Sequence, residues 1–179
     1  MRPKAFVALT FLVIFTISKC GKHKSPPSDN PYGLPNATQT GVGVFACRID
    51  GVNAIAKNDI DHIGGWMSSD RDSLALRGTF TKIFFQQITF ASLNKNRKVN
   101  RSYLFEDTLN TYFFYSTDST CVGGGTDVTN VYKASGSFIF SKIDTVNLIV
   151  SGTFNCKILI SQCDTLNVTE GRFDITYHN

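Results

Sequence analysis

The alternation of apolar and polar positions is cleanest near the C-terminus. Val150, Gly152, Phe154, Cys156 and Ile158 share one parity, while Ser151, Thr153, Asn155 and Lys157 take the other. A period of two with one apolar face predicts a half-buried antiparallel strand. Earlier in the chain, Phe45, Cys47 and Ile49 share a face. Asp50-Gly51 follows, a two-residue hairpin signal, and Val52 to Ala56 returns. Further strands are predicted over 73–80, 82–92, 103–105, 111–115, 128–134 and 137–143, with loops over 58–72 and 116–127. On the last strand, Leu166 and Val168 share a face, but Phe173, Ile175 and Tyr177 have the opposite parity. A β-bulge at Glu170-Gly171 would repair that register. About nine or ten strands with short turns, and no helix after the N-terminal leader, predict an all-β domain. It is an antiparallel β-sandwich or a partly closed barrel, and periodicity does not choose between them.

The longest apolar run is Ala5 to Ile17, in which only Thr10 and Thr16 are polar, behind the basic Arg2 and Lys4. It fits the core of a secretory signal and is too short to span a bilayer, which takes roughly 20 apolar residues. The run closes on Ile17-Ser18-Lys19-Cys20, which resembles a bacterial lipobox, with Lys19 where a small residue is usual. That resemblance implies cleavage before Cys20 and acylation of its thiol and new amine. Two or three acyl chains hold a protein on a membrane where one is marginal. An ordinary signal peptide cut nearby is the alternative. The division expected is a leader over 1–19, a lipidated tether over 20–41, and one all-β domain over 42–179. Pro26, Pro27, Pro31 and Pro35 stiffen the tether toward an extended polyproline conformation.

Composition agrees with strands: 15 Phe and 6 Tyr stand beside abundant Thr, Val and Ile. The formal charge of +4 belongs mostly to the leader, because Arg2, Lys4 and Lys19 leave with it. What remains is nearly neutral, which excludes a nucleic-acid footprint. The membrane, through the N-terminal lipid, is the expected partner, and a protein or glycan partner is left open. Cys47, Cys121, Cys156 and Cys163 remain in an oxidising compartment. Pairing loop with loop and core with core suggests Cys121–Cys163 and Cys47–Cys156, against four free thiols.

Two blocks resemble a family of small, uncharacterised Bacteroidetes-type lipoproteins. The first is Leu34-Pro-Asn-Ala-Thr-Gln-Thr-Gly41 running into Val44-Phe-Ala-Cys-Arg-Ile-Asp-Gly51. The second is Ile143-Asp-Thr-Val-Asn-Leu-Ile-Val-Ser-Gly-Thr-Phe154 followed by Thr169-Glu-Gly-Arg-Phe-Asp174. The resemblance implies a lipidated all-β domain and carries no activity. Since Lys22, His23 and Lys24 replace an acidic export cluster after Cys20, the periplasmic face of the outer membrane is favoured over the cell surface.

Candidate chemistry is sparse. Asp59, Asp61, Asp70 and Asp72 could ligate calcium, but a solvated loop is the simpler reading. His23, His62 and His178 form no zinc spacing with the cysteines. No nucleophile elbow or phosphate-cradling loop appears, the Gly123–Gly125 run lacking the lysine and helix of one. Catalytic, cofactor-binding and metal residues are therefore expected to be none. Arg172 and Asp174 should share an outward face beside Glu170, and Trp66 should cap one end of the core or stack on a sugar. A non-enzymatic binding or structural domain is the first reading. A β-sandwich hydrolase using Asp61 or Glu170 near Asp72 or Asp174, or a surface adhesin, are the alternatives.

Overall fold

The computed structural model describes residues 31–81, 85–118, 129–131, 133–160 and 164–179, with 129–131 described by backbone alone. Eleven strands form among them. They are β1 (Val44–Ile49), β2 (Val52–Ile55), β3 (Ile63–Met67), β4 (Leu74–Phe80), β5 (Gln86–Ser92) and β6 (Ser102–Leu104). The rest are β7 (Thr111–Thr117), β8 (Thr129–Val131), β9 (Ala134–Asp144), β10 (Ile149–Ile158) and β11 (Leu166–Thr176). Two antiparallel sheets result, ordered β2-β1-β11-β10-β9-β6 and β3-β4-β5-β7-β8, and they do not close into a barrel. The all-β expectation holds, and the architecture is sandwich-like.

The inward faces are phenylalanine-rich. Phe90 of β5 reaches four rings of the opposite sheet: Phe138 at 4.8 Å, Phe154 at 5.3 Å, Phe173 at 5.7 Å and Phe45 at 6.0 Å between centroids. Offset and edge-on ring pairs at such separations add stability beyond the area they bury. Phe45 lies directly against Gly78 of β4, where an added Cβ would come within 2.1 Å of the ring. That close approach fixes the local spacing of the two sheets.

Several sequence features appear in place. Asp50 and Gly51 take φ of 47° and 80°, the left-handed pair of a type I′ hairpin joining β1 and β2. On β11, Val168 pairs with Cys156 and Gly171 with Phe154, so three steps oppose two. The same slip recurs against β1, where Thr169 pairs with Arg48 and Arg172 with Ala46. This is the anticipated bulge, but its residues work differently. Glu170 takes the positive φ, at 54°, whereas Gly171 is required for space, since a Cβ there would lie 2.3 Å from the Phe154 carbonyl oxygen.

Two expectations change. Residues 63–67, read as loop, form β3. Its glycines are packing sites: a Gly65 Cβ would fall 3.0 Å from Cβ of Tyr177 as the chain end crosses from the first sheet. There Met67 N donates to His178 O at 2.7 Å and His178 N to Gly65 O at 2.9 Å, stitching the sheets at that corner. The compact unit also begins at Tyr32, not Val42, and Leu34 is buried.

Replacing Gly78 with alanine is expected to lower the unfolding free energy by ~1–3 kcal/mol, the usual penalty of overpacking. Urea denaturation measures it. Adding Phe45→Leu should recover part of the loss, and strictly additive losses would contradict the contact.

Candidate functional site

The bulge turns Arg172 and Asp174 to the outer face of the first sheet, as the parity predicts. They are not exposed there. Residues 32–43 run across that face as a strap, and beneath it Asp174 is 1% exposed and Arg172 8% exposed. Glycine shapes the strap's return: Gly41 and Gly43 hold φ of 75° and 78°, a left-handed conformation that side chains disfavour.

Asp174 is the hub. Its Oδ2 accepts from Thr38 Oγ1 at 2.5 Å and Thr40 N at 3.0 Å. Its Oδ1 accepts from Gly41 N at 2.9 Å and from Ser151 Oγ of β10 at 2.6 Å. A carboxylate has about four lone-pair sites, and these donors fill them. Burial alone would raise the Asp174 pKa, but the hydrogen bonds from Ser151, Thr38, Gly41 and Thr40 outweigh it and hold the group below its ordinary value.

Arg172 works beside it. Nη1 donates to Pro35 O at 3.0 Å, Nε to Glu170 O at 3.3 Å, and Nη2 to Glu170 Oε2 at 3.4 Å. Lys142 Nζ holds Gln39 O at 3.0 Å, and the Arg48 guanidinium sits 3.9 Å from the Tyr32 ring centroid. The two sequence blocks, one at Leu34–Gly41 and one at Thr169–Asp174, thus meet through Asp174 and Arg172.

The other half of the same face is open. A groove of about 440 Å³ is lined by Glu106, Ser135, Asn155, Lys157, Asn167 and Thr169, among others. Glu106 Oε1 accepts from Gly136 N at 3.2 Å. The amides of Asn155 and Asn167 and the hydroxyls of Ser135 and Thr169 share the lining with Gly136, Cys156 and Val168, so its surface is mixed, with the apolar part the larger. Sequence reasoning missed this groove because its residues look like ordinary solvent-facing positions of three strands.

The remaining candidates are dispersed. Asp59 accepts from Asp61 N, His62 N and His62 Nδ1, the last at 2.5 Å, and that side-chain bond chiefly lowers its pKa. Asp70 accepts from Ser68 Oγ and from Asp72 N, in a separate turn beyond β3. The acidic residues thus tie down two turns, and among the described residues no cluster of His, Cys, Asp or Glu could hold a metal ion. Trp66 does not cap the core; it lies on the outer face of the second sheet and is 44% exposed.

Cys47 and Cys156 are buried, free thiols. They do face inward, as the alternation predicts, but β11 separates their strands. Two strand spacings place their Cα atoms about 9–10 Å apart, beyond disulfide reach. The Cys47–Cys156 pairing is therefore corrected to two packed thiols. Burial pushes both up, Cys156 to about 12. Cys20, Cys121, Cys163, His23 and the triple glycine lie outside the described residues. Compared with known protein families, curated proteins and solved structures, the chain matches none.

The Asp174 carboxyl has a lower pKa folded than unfolded, so its contribution is complete above about pH 4 and drains as pH falls through the folded value. Asp174→Asn should cost ~1–3 kcal/mol at pH 7, because it leaves buried donors facing an amide. Its loss of stability on acidification should also be shallower than that of wild type in denaturation at stepped pH. Cys47 and Cys156 should resist thiol reagents until the chain unfolds, and the unreduced, unfolded chain should then show at least two reactive thiols.

Proposed function

We propose that the chain is a membrane-anchored lipoprotein of the bacterial cell envelope, acylated at Cys20. Its sandwich is a non-enzymatic binding or structural module on the periplasmic face of the outer membrane. The observation that carries this reading is the strap. The most elaborate buried polar network of the described residues grips the segment that follows the tether. A pull on the N-terminus would be borne by Asp174, Arg172 and the strands behind them. The signal-like leader, the lipobox-like Ile17-Ser18-Lys19-Cys20 and the two lipoprotein-like blocks support the same reading.

The chemistry of the carboxylates favours it over a hydrolase. General acid catalysis at neutral pH needs a carboxyl with a raised pKa. Among the described residues the displaced carboxyls, Asp59, Asp70, Asp144 and Asp174, are all displaced downward, and Asp174 has its lone pairs filled. Glu170, the partner a hydrolase would need near Asp174, instead contacts Arg172.

Labelling cells with a palmitate analogue, wild type beside Cys20→Ala, tests the anchor. Label should enter the wild-type protein, which should fractionate with the outer membrane, and should be lost from the variant. Equal labelling of the two would overturn the proposal.

A further inference from the structure

The outer face of the second sheet carries an arrangement that the strap and groove do not use. Strand register places Trp66 beside Ala75, Ala75 beside Ala91, and Ala91 beside Tyr112. This row runs across four strands, with aromatic residues 44% and 42% exposed at its ends and a floor of two alanines. Three strand spacings separate the ends by about 14 Å, the length of a short oligosaccharide. In the next row, Gly64 lies beside Arg77 and Arg77 beside Thr89.

Gly64 explains how the indole is presented. A Cβ at Gly64 would meet Trp66 Cζ3 at 3.4 Å and Arg77 Nε and Nη2 at 3.6 Å each. The six-membered ring therefore leans down over the glycine, with the guanidinium beside it. Arg77 is held there by one bond, Nη2 to Ile60 O at 3.1 Å. Among the described residues no carboxylate pairs with it, and it is the one charge among the outward positions of β3, β4, β5 and β7.

We propose that this face binds an acidic saccharide, a pyranose ring stacking on Trp66 and its carboxylate engaging Arg77. A pyranose presents an apolar C–H face bordered by hydroxyls, and a half-exposed indole with a guanidinium close to its six-membered ring offers a partner for each part. Guanidinium groups suit planar carboxylates. A protein-binding hot spot would instead centre on a deep, desolvated apolar pocket. Among the described residues the floor here is two alanines with no pocket between them, flanked by Phe114, Thr89 and the Gln87 amide, which donates to Thr89 Oγ1 at 3.3 Å. The site does not depend on the lipid anchor.

Trp66 is the only tryptophan, so its emission reports occupancy directly. The mature protein would be titrated with oligomers of galacturonate, of guluronate and mannuronate, and of a glucuronate-containing polymer, beside a neutral cello-oligosaccharide. At least one acidic oligomer should give a saturable emission change, with the neutral one binding at least tenfold more weakly. Arg77→Gln should weaken the acidic ligand at least tenfold. Trp66→Ala, followed by calorimetry, should abolish binding, with unchanged circular dichroism in both variants. No saturation by any acidic oligomer overturns the proposal. Equal affinity for the neutral oligomer, undiminished binding by Arg77→Gln, or an emission shift produced only by anionic lipid vesicles does so too.

Discussion

One buried carboxylate organises the outer face of the first sheet. Asp174 lies at the end of a strand, under a segment that enters the domain more than a hundred residues earlier, and each of its oxygens accepts two close hydrogen bonds. An unpaired charge in such a place would be strongly unfavourable. The strap, Ser151 and β11 therefore form or fail together. Because the donors come from the strap backbone as well as its hydroxyls, the carboxylate fixes the path of the chain and not only its side chains.

That arrangement depends on the extra residue in β11. Without the bulge at Thr169–Gly171, the face that carries Val168 would also carry Arg172 and Asp174, and a charged pair would point into the phenylalanine core. With it, Phe173 and Ile175 reach inward and the charges turn to the strap. The same residues that look like a conventional solvent-facing pair in the sequence become a buried clamp. Their neighbours beyond Thr169 remain open as the groove.

The fold was largely legible because most of its rules are local. Parity located β1 and β10, the Asp50-Gly51 turn named the first hairpin, and a parity break predicted the bulge. What stayed hidden was long-range. Gly64 and Gly65 weaken the apolar signal of β3, and the groups that stand over them include Arg77 from β4 and Tyr177 from the chain end. Leu34 looked like tether because nothing near it in sequence says that a sheet lies beneath it. Arg172 and Asp174 were singled out, but their burial depends on a cover that no periodicity encodes. Cys47 and Cys156 shared a face, yet only sheet order reveals the strand between them.

The strap is the point on which the account turns, and amide hydrogen exchange of the native protein examines it residue by residue. Thr40 and Gly41 donate their amides to Asp174, and Gly43 N donates to the Asp174 carbonyl at 3.0 Å. Protection of these three amides should approach that of β11 itself, since both open in the same cooperative unit. Exchange at the rate of a free, solvated tether would contradict the clamp.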